Sequence, residues 1–298
     1  MVLCLAMLGA CGHENGSDAL IEDWRLQLAE QSVPWGVVDC GAAITLWSGR
    51  SDTLYFVDPG ARVIHARHVL GWAPLAVGCA SDDAVIALGE AWIARVRVDG
   101  SSEAPQVGHA LAAQYRLIAA AVDGEGVRVV AIDRGGRAVL LRRGARVATP
   151  SRIPFARDQR LASPDAFAIT TTPTHIVVNE RRWPFRMWSI DSTGALRVSS
   201  ALSDDATLDS MLSARGDIPS WYAGPLVRVG PGFLLSLQNL RTDQSVVLRL
   251  LPDLRIGRAQ AFDSPIAIVD ASRDGTSVYG IHHLQGAELV VYRLWRHP

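Results

Sequence analysis

Residues Ile266 to Ile281 read IAIVDASRDGTSVYGI. An apolar run meets a tight polar turn near Gly275 and is followed by a second apolar run, the pattern of a β-hairpin. The same layout occurs earlier in the chain. GVVDCGAAITLW starts at Gly36, LAVGCASDDAVIAL at Leu75 and LIAAAVDGEGVRVVAI at Leu117. FAITTTPTHIVV follows from Phe167 and LVRVGPGFLLSL from Leu226. The turns fall near Ala42, Asp83, Gly124, Thr174, Gly232 and Gly275, in steps of 41, 41, 50, 58 and 43 residues.

Each segment continues in the same order. A third strand follows, such as Thr53 to Val57, Trp92 to Val98, Met187 to Ile190 or Ser245 to Leu251. A Gly- or Asp-bearing turn then leads to a more polar fourth strand, such as Arg62 to Val69 or Ala195 to Ser200. A four-stranded unit of about 40 residues is the period of a β-propeller blade, and helical periodicity is nearly absent. The fold class expected is all-β: a six-bladed β-propeller of four-stranded antiparallel blades. The last unit ends after its third strand, Glu288 to Trp295. Trp24 to Leu28 alternates and can supply the missing strand, closing the ring with the N-terminal segment. A helix is the competing reading there, since Leu20, Trp24 and Leu28 share a helical face.

The stretch SRDGTSVYGIHHLQGAELVVYRL, Ser272 to Leu294, resembles the repeat of TolB-like six-bladed propellers. The likeness is clear in that unit, loose at Asp123-Gly124 and lost in the others. It implies a ring and leaves function open, because this fold hosts binding modules and enzymes alike.

The composition narrows the chemistry. The 298 residues are 49% hydrophobic and carry 29 basic against 30 acidic groups, which argues against disorder and against binding nucleic acid by phosphate neutralisation. Every basic residue is Arg. The absence of Lys excludes Schiff-base catalysis, a Walker-type phosphate loop and an S-x-x-K nucleophile.

The chain opens MVLCLAMLGAC before turning polar. Leu8-Gly9-Ala10-Cys11 resembles the lipobox of bacterial lipoproteins, although no basic residue precedes the apolar run. The resemblance implies a signal peptide at 1–10, lipidation of Cys11, a tether over 11–22 and a single propeller domain over 23–298. It also implies an address at the bacterial cell envelope, facing the periplasm or the exterior, with the membrane reached through the lipid alone. No stretch approaches 18 uninterrupted apolar residues. Cys40 and Cys79 occupy matching places in successive first strands. In an oxidising compartment they are candidates for a disulfide, with two small buried hydrophobes as the alternative.

No nucleophile elbow, zinc-protease pair, EF-hand loop or dinucleotide fingerprint occurs, so no catalytic residue, metal ligand or cofactor is expected. His65 and His68 lie three apart in a strand and face opposite sides. The insertion at Ala201 to Gly224 carries a helix, with Ser203 as its cap, Asp204 and Asp205 in the first turn, Leu208, Met211 and Leu212 as its apolar side and Gly216 as its stop. The recognition candidates are Arg181, Arg182 and Trp183 in a second-to-third strand turn, Trp221 and Tyr222 after the insertion, and His282 beside His283. Arg157 and Arg160 lie in a second insertion, Ser151 to Asp165. Trp, Tyr and Arg dominate binding hot spots, and all these segments converge on one face of a propeller. The function expected is therefore a monomeric envelope lipoprotein whose elaborated face binds an envelope protein or a saccharide. The main alternative is a lactonase-like or glycan-cleaving enzyme with a metal in the channel, which requires acidic, Asn or His side chains on the innermost strands. Those strands, Gly36 to Asp39, Leu75 to Gly78, Leu117 to Val122, Phe167 to Thr171, Leu226 to Val229 and Ile266 to Val269, read as mostly apolar. A purely structural component is the third reading.

Overall fold

The computed structural model describes residues 20–28, 36–89, 92–103, 106–107, 115–123, 126–133, 138–142, 145–146, 167–172, 174–191, 195–282 and 287–294. At 106–107, 115–119, 123, 126–133, 138–142 and 145–146 it describes the backbone alone.

The strands pair into small antiparallel four-stranded sheets. β1 (Leu20–Gln27) comes first in the chain. The first contiguous sheet is β2 (Gly36–Asp39), β3 (Ile44–Trp47), β4 (Thr53–Asp58) and β5 (Val63–Val69). The second is β6 (Ala76–Ser81), β7 (Ala84–Leu88), β8 (Trp92–Arg97) and β9 (Gln106–Val107). The third is β10 (Tyr115–Asp123), β11 (Gly126–Asp133), β12 (Ala138–Arg142) and β13 (Ala145–Arg146). The fourth is β14 (Phe167–Thr171), β15 (His175–Glu180), β16 (Arg186–Asp191) and β17 (Leu196–Ala201). The fifth is β18 (Trp221–Val229), β19 (Gly232–Asn239), β20 (Ser245–Leu250) and β21 (Ile256–Phe262). β22 (Ala267–Ala271), β23 (Ser277–His282) and β24 (Glu288–Leu294) form a sheet with β1, in the order β1-β24-β23-β22.

Contiguous blades among the described residues thus number five, against the six units laid out along the sequence; the segment from Ile266 is completed by β1. β1 starts at Leu20, inside the expected tether, and pairs from Leu20↔Leu294 to Gln27↔Glu288 with a bulge between Glu22 and Trp24. It is a strand, not the competing helix, because β24 offers it an unpaired edge. Each innermost strand packs beside the next, from β2 through β6, β10, β14 and β18 to β22 and back to β2.

The apolar core lies in the seams between neighbouring sheets. Leu46 and Val57 of the first blade pack with Trp24 and Tyr279 of the composite one, whereas Phe56 and Leu54 pack with Val85 and Val96 of the second. A sheet covered on both faces needs apolar side chains at successive positions. Accordingly β19 is buried along nearly its whole length, while the outermost β5 is largely exposed.

The innermost strands leave one edge without a strand partner, and its backbone groups must find other partners. Side chains of neighbouring blades supply them. Asn179 donates to Gly224 O at 3.2 Å and Thr170 to Leu226 O. Ser236 accepts from Ile268 N at 3.0 Å, and Ser245 from Ile266 N at 3.2 Å. Close approach is also required: a Cβ on Gly78 of β6 would fall 2.3 Å from the Val122 carbonyl oxygen of β10.

Candidate functional site

The antiparallel order gives the disc two chemically different faces. Innermost strands start on the face that carries the second-to-third strand turns and the blade connections. They end on the face that carries the first-to-second turns. We call these the entry and exit faces.

The insertion after β17 rises on the entry face. Leu202–Asp204 forms a short 3-10 turn, and helix α1 spans Ala206–Ser213. The cap is Asp205 rather than Ser203: the Asp205 carboxylate accepts from Leu208 N at 2.9 Å. Asp205 is the residue whose extended backbone immediately precedes the helix, which is the position a cap requires. Leu208 and Leu212 are buried against the fourth and fifth blades, with Met211 packed beside them. Gly216, at φ 137°, ends the segment. The β19–β20 turn clasps the insertion through Asn239 Nδ2 to Arg215 O at 3.3 Å and an Arg241–Asp217 ion pair at 3.0 Å.

Arg181, Arg182, Trp183, Trp221 and Tyr222 do come together here, with different roles. Arg182 and Tyr222 form an isolated antiparallel bridge. The Arg181 guanidinium carbon lies 4.5 Å from the Tyr222 ring centre and that of Arg182 5.8 Å. Arg181 Nε also donates to Ala223 O at 3.0 Å. Trp183, before a cis peptide bond to Pro184, stands edge-on to the buried Phe185 at 5.7 Å. Trp221 has 1% exposure and belongs to the core. That corrects its expected place on the recognition surface: it opens β18 with its side chain directed into the seam, opposite Asn239. The exposed apolar group of the platform is Leu240, at 62%, whose N–H bonds to Ser220 O. Sequence reading passed it over because a lone Leu in a turn carries no pattern.

His282 ends β23 on the same face but stays on its own blade, 2.6 Å from the Tyr292 hydroxyl. His65 and His68 reach the second blade instead, contacting Val98 O at 3.0 Å and Gly100 O at 2.9 Å. A bulge in the β4–β5 pairing between Phe56 and Val57 lets both engage the same neighbouring turn, where regular alternation would have separated them. Cys11, Arg157, Arg160, His283 and the insertion at 151–165 lie outside the described residues.

At the exit end of the channel, two acidic residues sit on innermost strands. Asp39 closes β2, and Asp270 lies in β22, one residue beyond the strand end read from the sequence. Tyr279 donates to Asp39 Oδ2 at 2.6 Å, Gly41 N to Asp39 Oδ1 at 2.8 Å, and Asp39 N to Asp270 Oδ2 at 3.1 Å. Asp270 keeps some surface open to the cavity but lies deep in the ring. Desolvation pushes its carboxyl up to about 7, opposed by the amides of Ala271 and Asp39 and reinforced by the Asp39 charge. Burial, with Asp39 as its hydrogen-bond partner, also holds the Tyr279 hydroxyl protonated. The adjacent residue, Cys40, is joined to Cys79 of β6, with a Cα–Cα distance of 5.4 Å. Residues 39 and 40 therefore tie three consecutive innermost strands together. Among the described residues, no three His, Cys, Asp or Glu side chains converge as a metal site.

Neither the protein-family models nor the curated proteins include a match to this chain. Solved structures do resemble it. A Bacteroides caccae protein of unknown function has 12% identity and a TM-score of 0.50, covering 80% of this chain and 82% of that one. The β-propeller domain of Cps50 (Swd1) from Myceliophteria thermophila has 10% identity and a TM-score of 0.51, covering 88% of this chain and 82% of that one. At such identities the likeness establishes the propeller fold alone.

Proposed function

We propose that this protein is a binding module of the bacterial cell envelope, held by a lipid on Cys11, whose entry face docks a partner protein. The observation that carries the docking reading is the platform around Arg182, Tyr222 and Leu240. An exposed arginine bridges to a half-buried tyrosine, and an open leucine stands in the β19–β20 turn with its N–H on Ser220, two residues before that tyrosine. That is the composition of an interface centre. A partner segment carrying a carboxylate for Arg182 and an apolar side chain for Leu240 fits it.

A saccharide is less well served, because stacking needs an open aromatic face. Trp221 is buried and Arg181 lies over the Tyr222 ring. The lipid reading gains support from the direction of β1. Its first residue, Leu20, pairs with Leu294 at the exit face. An anchor upstream of Leu20 would therefore hold the ring by the side opposite the platform and leave the platform accessible.

Arg182→Glu and Leu240→Glu, checked by thermal melts to be folded, test the docking reading. Both variants should lose a partner that the wild type captures from envelope extract and rebinds when purified. A purified partner that binds both variants as tightly as the wild type would place the site elsewhere, and glycan binding without protein binding would replace the partner. Palmitate labelling that is lost in Cys11→Ala tests the anchor.

A further inference from the structure

Eight large apolar side chains stand exposed among the described residues, and five of them share one face. Third-to-fourth strand turns emerge on the exit face, beside the first-to-second turns. Val63 and Ile64 open β5 after one such turn, and Leu196 opens β17 after another. Leu251 directly follows β20, and Ile21 is the second residue of β1, the fourth strand of the composite sheet. Their exposures run from 39% to 49%. Val69, Trp92 and Leu240 lie instead at the entry ends of β5, β8 and β19. The five exit-face groups thus occupy matching places on four sheets, at the rim of one end of the disc.

The carboxylates in these turns are already engaged. Asp58 accepts from Gly60 N at 2.8 Å and Ala61 N at 2.9 Å. Asp191 pairs with Arg197 at 2.6 Å and Asp253 with Arg255 at 2.6 Å. The apolar groups therefore stand among locally compensated charges. A protein interface gathers its apolar centre into one contiguous patch, which four separate turns do not form. A fluid bilayer interface takes up each side chain separately. The chain itself leads to the same face. Leu20 begins β1 there, and Cys11 lies nine residues upstream, a reach of roughly 30 Å at most. A lipid on Cys11 would hold the rim at high effective concentration against the membrane, so that weak contacts suffice.

We propose that the exit face is a membrane-resting surface, on which Ile21, Val63, Ile64, Leu196 and Leu251 enter the headgroup region of a lipid bilayer. These side chains add a second attachment to the lipid, hold the disc flat and turn the entry face away from the membrane. The choice of a bilayer as the occupant rests on the anchor reading, and the two are tested apart.

An environment-sensitive fluorescent amino acid, placed at position 196, 251 or 240 of the intact chain, reports the surroundings of each on phosphatidylcholine vesicles. Emission from positions 196 and 251 should shift to the blue and be quenched by brominated lipid, while position 240 behaves as in solution. Val63→Glu combined with Leu196→Glu should lower the quenching at position 251 by about threefold or more, because the attachment scales with the apolar area inserted. Both side chains are exposed, so thermal melts should be unchanged. Palmitate labelling of the same preparations reads the anchor separately. An acylated chain with no shift at 196 and 251 would overturn the resting face and leave the anchor standing. A shift without palmitate would keep the face and remove the anchor. A chain that neither acylates nor shifts on vesicles, or one that shifts equally at position 240, would overturn the proposal.

Discussion

Replacing Asp270 by Asn isolates a desolvated carboxyl at the exit end of the channel. The Asp270 carboxyl titrates near 7 in the folded protein against an ordinary value of 3.8, chiefly because it is desolvated. Below pH 3.8 the group is protonated whether the chain is folded or not, so it costs nothing. As pH rises from 3.8 toward 7 the unfolded chain releases the proton and the folded chain keeps it. Stability then falls by about 1.4 kcal/mol per pH unit and levels off above 7. The full penalty is on the order of 4 kcal/mol, an upper figure because the group keeps some surface toward channel water. Asn preserves an oxygen to accept from Asp39 N and cannot ionise. The variant should therefore match the wild type within about 1 kcal/mol at pH 4 and exceed it at pH 8 by up to about 4 kcal/mol. For a chain of this length that difference corresponds to roughly 6 °C in melting temperature. Scanning calorimetry of both proteins from pH 4 to pH 8 measures it, and the difference between them cancels the other carboxylates. A gap that stays constant with pH, or a variant less stable at pH 8, would refute the desolvation argument.

Three further outcomes follow from the same geometry. Thiol titration of the unfolded, unreduced protein should leave Cys40 and Cys79 unlabelled; two reactive thiols at these positions would dismiss the bond, whose loss should cost about 3 kcal/mol. Gly78→Ala drives a Cβ into the Val122 carbonyl and should destabilise the protein by roughly 1–3 kcal/mol, so an unchanged denaturation midpoint would mean that the β6–β10 approach is looser than described. Deleting residues 12–18 should leave the melting point unchanged, whereas deletion through residue 30 removes β1 and should lower it; equal melting points would contradict the β1–β24 closure.

Much of the fold was legible because a sheet covered on both faces forces a pattern. Gly36 to Asp39 and Phe167 to Thr171 were read with the bounds the structure gives, since each is an apolar run stopped by a turn. Trp221 to Ala223 was missed as the start of β18, because it follows an insertion that hides the boundary. The site was harder to read. Trp221 and Tyr222 are neighbours of similar character, yet alternation along the strand sends one into the core and the other toward the surface. Asp270 escaped because a strand was expected to end where its apolar run ends. The strand runs on past a bulge between Ile268 and Asp270 to Ala271, which sets the carboxyl into the channel wall. Leu240 acquires meaning only once the fold ties it to Ser220, two residues before Tyr222.

The docking face is tested most directly by placing a photoreactive amino acid at position 240 on the entry face and, in a separate protein, at position 231 in the β18–β19 turn on the exit face. After illumination of intact cells that naturally make this protein, position 240 should yield one discrete adduct with an identifiable protein, and position 231 should not. An adduct of equal yield at position 231, or none at position 240, would contradict the account.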